Sequence, residues 1–147
     1  MPSRQPIPPS PTLVGLRVRV YLNLHQPGHL SVVALEGPNK GKVVAHTLAV
    51  VLDDCQFAVS ESGRQRVIRE QSKNVHAAIR GVVTAIACSP EERSDFERRA
   101  DELLIQGCPV YYNPYLTALF LNRKTDKPLH NAAKVIAIGS RVVALPG

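Results

Sequence analysis

From Gly15 to His25 the chain alternates strictly. Leu16, Val18, Val20, Leu22 and Leu24 share one parity, and Arg17, Arg19, Tyr21, Asn23 and His25 share the other. Successive side chains on a strand point to opposite faces, so this period of two predicts a β-strand with one apolar and one polar side. Gln26-Pro27-Gly28 reads as a turn, followed by strands over Leu30–Leu35 and Lys42–His46, with Gly37-Pro38-Asn39-Lys40-Gly41 as the turn between them. Ala49–Asp53 and Gln56–Ser60 read as further strands divided at Asp54-Cys55. Alternation returns from Val75 to Ala87, where Ile79, Val83 and Ala85 share a face and His76, Arg80 and Thr84 share the other.

The pattern then changes period. Ser89-Pro90-Glu91-Glu92 combines an N-cap, a proline suited to the first helical position and a glutamate where a capping box places one. Phe96, Ala100, Leu103 and Leu104 follow at offsets of 4, 7 and 8, a single apolar stripe at helical spacing, and Gly107 is the expected stop. Pro109–Tyr112, Ala118–Asn122, Lys134–Ile138 and Val142–Leu145 read as strands, with a polar turn over Arg123–Pro128. Residues 63–74 fit either a short helix capped by Ser62 or a strand over Arg66–Glu70. These elements predict a β-rich α+β fold: a curled antiparallel sheet or small barrel, one capped amphipathic helix packed on it and, if 63–74 is helical, a second short one.

Ahead of this domain, assigned to residues 13–147, Pro2, Pro6, Pro8, Pro9 and Pro11 make residues 1–12 an extended arm, because closely spaced prolines lack backbone donors and hold a polyproline-like path. Such an arm suits contact with a second subunit, or with a host or phage protein. The 147 residues with 44% hydrophobic and 20% charged content exclude disorder throughout. Apolar runs are too short to span a membrane, so no membrane partner is expected. Three cysteines without metal-ligand spacing suggest reduced thiols in a cytoplasm, and no cofactor or metal is implied.

A net charge of +6 becomes informative through its distribution. Arg64, Arg66, Arg69, Lys73 and Arg80 stand against one acid, Glu70, whereas the helix from Glu91 to Glu102 holds six acids and three arginines. Arg17, Arg19 and Tyr21 on the polar side of the first strand join cations to an aromatic ring, the combination a single-strand-binding surface uses. On a helix, Arg66, Arg69 and Lys73 would share a face and track a phosphate backbone. These six residues, with Arg64 and Arg80, are the candidate nucleic-acid contacts; solvated strand and helix faces are the alternative. Tyr111, Tyr112 and Tyr115 are a candidate interface anchor or a turn packed over the core. A metal-independent ribonuclease would need a base, an acid and a cation. His76 with Arg80, Lys73 and His25 or His46 could supply them, although nothing in the spacing requires it.

The segments Val20-Tyr21-Leu22-Asn23-Leu24-His25, Gly41-Lys42-Val43-Val44-Ala45-His46, Gly63 to Glu70 and Lys73-Asn74-Val75-His76-Ala77 resemble small uncharacterised proteins of tailed bacteriophages and prophages. Tyr112-Asn113-Pro114-Tyr115 and Asp126-Lys127-Pro128 are similar to the end of the same family. The resemblance implies a phage or prophage setting in a bacterial cytoplasm and assigns no residue a role. The expected function is that of a small basic nucleic-acid-binding protein. The alternatives are a protein-binding factor, acting on a host protein or in an assembly, and the ribonuclease.

Overall fold

The computed structural model describes residues 13–22, 28–59, 69, 77–112 and 120–146. The elements are β1 (Arg17–Leu22), β2 (Leu30–Ala34), β3 (Val43–Thr47), β4 (Ala49–Val59), β5 (Ala77–Ala87), α1 (Pro90–Gln106), β6 (Cys108–Tyr112), β7 (Phe120–Asn122), β8 (Lys127–Leu129), β9 (Asn131–Ile138) and β10 (Arg141–Leu145). The ten strands of the described residues form one antiparallel sheet in the order β3-β2-β1-β5-β4-β9-β10-β6-β7-β8. The order runs from edge to edge, so of the two expected architectures the chain adopts the curled sheet. The curl is read from one contact. Phe57 of β4 and Phe120 of β7 lie four strands apart in the order, about 19 Å in a flat sheet, yet their ring centroids are 4.9 Å apart.

Alternation along the central strands feeds two apolar cores on opposite sides of the sheet. Val50, Leu52, Val135, Ala137 and Ile86 join Val18, Val20, Val32 and Phe120 inside the curl. Their sequence neighbours Ala49, Val51, Ile136, Ile138 and Ala87 join Phe96 and Ala100 on the outer side, beneath α1. The strands at the centre are therefore apolar at both parities, as burial on both faces demands.

Helix α1 starts as its sequence dictates. Ser89 Oγ accepts from Glu92 N (3.2 Å), and Glu92 Oε1 accepts from Ser89 N (3.1 Å) and Cys88 N (3.0 Å), satisfying N–H groups that the first helical turn leaves open. Phe96 and Ala100 are buried, with Leu103 and Leu104 packed beside them. Arg141 of β10 donates to Asp101 (2.6 Å), and Lys124 Nζ donates to Leu104 O (2.9 Å). Gly107 ends the helix, but in an extended conformation (φ −106°) that any residue adopts. What requires glycine there is space: a Cβ would stand 2.2 Å from Ala144 O on β10.

Beyond shifts of a single residue, three boundaries differ from expectation. β4 runs unbroken through Asp54-Cys55, because the register slips there between Asp53 and Gln56, with Asp54 at φ 54°, a conformation Asp tolerates better than most residues. Part of the expected polar turn at 123–128 is strand β8, and β9 begins at Asn131. The arm at 1–12 and the ambiguous stretch at 63–74, apart from an exposed Arg69, lie outside the described residues.

Candidate functional site

Of the polar side of β1, the described residues Arg17, Arg19 and Tyr21 do lie together on the outer face, opposite in parity to buried Val18 and Val20. The register then adds neighbours. Arg19 pairs with Arg80 of β5, Arg80 with Gln56 of β4, and Gln56 with Asn131 of β9. Two guanidinium groups and two amides thus form one row across four adjacent strands. Arg80, Gln56 and Asn131 are exposed and Arg19 is half-buried. The parity of this row is set from below: Ile79, Cys55 and Ala132, one position away on each strand, belong to the inner core. Gly81, next to Arg80, faces the β4 irregularity, where a Cβ would meet Asp53 O and Leu52 Cβ at 3.0 Å. A glycine inside a strand here admits close approach by the neighbouring backbone.

Helix α1 occupies the other end of the same outer face. It covers Ala87, seven residues along β5 from Arg80 and roughly 23 Å away at strand rise, and leaves the row open. Four of its six carboxylates are used locally: Glu92 closes the cap, Glu97 lies near Arg93 (3.8 Å) and Arg141 (3.9 Å), Asp95 pairs with Arg98 and Asp101 with Arg141. The acidic helix does not neutralise the basic strand face.

Two carboxylates do reach the rim of the row. Arg17 pairs with Asp54 (3.1 Å), and Lys134 of β9 with Asp53 (2.6 Å). Arg19 and Arg80 have no carboxylate partner among the described residues. Arg19 instead holds its guanidinium 5.8 Å from the centroid of the Tyr21 ring, within cation–π range. Beneath the two aspartates, burial pushes the Cys55 thiol up to about 12, with the charges of Asp53 and Asp54 adding to the effect. Its Sγ donates to Leu52 O at 3.3 Å, so this thiol is a protonated core group at neutral pH.

Other sequence candidates fall elsewhere. Arg64, Arg66, Lys73 and Tyr115 lie outside the described residues, as do His25, His76 and the side chain of Tyr112. Tyr111 sits on β6, five strands removed from β1, with the Arg123 guanidinium 4.8 Å from its ring centroid. His46 Nδ1 is 3.3 Å from Ser31 Oγ on the β3–β2 pair. Three strand spacings, about 14 Å, separate it from Arg80, too far for the two to act on one proton. Gln56 and Asn131 were not anticipated from the sequence. Gln56 marked only the start of a strand and Asn131 fell outside any expected element, and no local pattern announces that the two are neighbours.

The family model described as Mycobacterium phage L5 gene 82 protein matches residues 12–145 of the chain. A relative from Mycobacterium phage L5, the gene 82 protein, is 34% identical over 134 residues, covering 88% of this chain and 95% of its own length. No solved structure matches.

Proposed function

We propose, from the premise that this chain belongs to the family of the Mycobacterium phage L5 gene 82 protein, that it is a phage protein that binds nucleic acid on the outer face of its sheet. The observation that carries this reading is the Arg19–Arg80 pair. Directly opposed residues on antiparallel strands have Cα atoms only about 5 Å apart, and like charges in that position are destabilising by up to roughly 1 kcal/mol. Arg17 and Lys134 on the same face are matched with carboxylates, and Arg19 and Arg80 have none among the described residues. A phosphate between them removes the repulsion and accepts charge-assisted hydrogen bonds from both guanidinium groups. The net charge of +6 adds long-range attraction to a polyanion.

Binding driven by phosphate contacts releases counterions, so affinity must fall steeply with salt. Fluorescence anisotropy with labelled single- and double-stranded DNA and RNA, titrated between 50 and 200 mM salt, tests it. The expected result is salt-sensitive binding to at least one of the four, with a log–log slope shallower by about two in an Arg19→Ala/Arg80→Ala variant. Absence of salt-sensitive binding to all four would overturn the proposal.

A further inference from the structure

We infer that the ligand of this face is single-stranded, with a phosphate held between Arg19 and Arg80 and the base of an adjoining nucleotide lying against the amides of Gln56 and Asn131. The inference rests on the nucleic-acid reading above and narrows it to one class of substrate.

Width decides between single strand and duplex. The row crosses β1, β5, β4 and β9, which at about 4.8 Å per strand is roughly 14 Å from end to end. The sheet continues beyond it on both sides, into β2 next to β1 and β10 next to β9. The major groove of B-DNA is about 12 Å wide and admits a helix or a two-stranded ribbon. A six-strand surface cannot enter it, so Gln56 and Asn131, in the interior of that surface, cannot reach base edges stacked inside a duplex. In an A-form helix the major groove is narrower still. The wide A-form minor groove still leaves the Watson–Crick edges paired, so those edges reach Gln56 and Asn131 only from unpaired bases.

The chemistry of the row suits such a ligand. Each amide offers a donor and an acceptor in one plane, which matches the mixed donor and acceptor edges that an unpaired base exposes. Both amide side chains are exposed and neither has a hydrogen-bond partner among the described residues. The arginines at the other end of the row supply the phosphate contact. Tyr21, two residues along β1 from Arg19, places a half-buried ring at the edge of the same face, where a further base can stack.

The test compares a 12-nucleotide strand with its own duplex, in DNA and in RNA, by anisotropy in a salt series from 50 to 200 mM, with strand and duplex affinities compared at equal salt. The wild-type chain should bind the single strand about tenfold or more tightly than the duplex. Gln56→Ala/Asn131→Ala should lose about tenfold on the single strand, leave duplex binding unchanged and keep the salt slope, because no phosphate contact is removed. Arg19→Ala/Arg80→Ala should weaken both ligands and flatten the slope. Gln56→Glu/Asn131→Asp, which preserves size at exposed positions, should weaken single-strand binding further; circular dichroism checks that each variant keeps its fold. Equal affinity for strand and duplex, or a Gln56→Ala/Asn131→Ala variant that binds the single strand like the wild type, overturns the inference and leaves nucleic-acid binding standing. Loss of the broader reading has a different signature: no ligand binds at all.

Discussion

Thr47 shows at one side chain what the packing costs. Its hydroxyl is fully buried and without a hydrogen-bond partner among the described residues, and an unsatisfied buried hydroxyl costs on the order of 1–3 kcal/mol. Thr47→Val keeps the shape and removes the polar atom, so it should stabilise the fold by about 1 kcal/mol, read as a higher urea midpoint at unchanged slope. An unchanged or lower midpoint would mean that the hydroxyl is satisfied. At this scale the polar side of β1 was legible, because the parity of Arg17, Arg19 and Tyr21 needs nothing but the strand period. The state of each charge was not. Arg17 is matched by Asp54, 37 positions away, through an irregularity of β4 that places a non-glycine residue at φ 54°. The pairing of Arg19 with Arg80 and the recruitment of Gln56 and Asn131 depend on register among four strands, which no local window contains.

Among the elements, α1 was readable almost to the residue, since its cap, proline, apolar stripe and stop all lie within one continuous stretch and act through bonds within that stretch. The exception is instructive. Gly107 is the stop that the sequence predicts, but the structure uses its missing side chain to let the chain pass against Ala144 on β10. Gly107→Ala should therefore lower stability by about 3 kcal/mol through a backbone clash that no rotamer change relieves, measured as a drop in the thermal midpoint. A midpoint within a degree of wild type would show that β10 can move aside. In the sequence β4 looks like two strands, because Asp54-Cys55 resembles a break. Pairing with β5 on one side and β9 on the other carries the strand through it, a tertiary contribution that local propensity cannot register.

Over the whole molecule, the outer face divides into an end covered by α1 and an end carrying a row of open polar groups, rimmed by Asp53 and Asp54. The rim sets the strength of the positive field. Asp54→Asn releases Arg17 from its ion pair, and asparagine accepts the same backbone conformation. The Arg17–Asp54 pair is exposed, 40% and 84% for the two side chains, so stability should change little. Binding of a labelled oligonucleotide should tighten at low salt, with a log–log slope steeper by about one; a slope equal to wild type would show that Arg17 lies off the path of the ligand. The same long-range order has a consequence for how the chain is made. β4 hydrogen-bonds to β9, and about 70 residues separate the end of one from the start of the other. At roughly 5–20 residues per second, a ribosome leaves β4 with one side of its ladder vacant for about 4 to 15 seconds. Throughout that interval, a run of valine, leucine and alanine that the finished protein hides on both faces stands without its final neighbour.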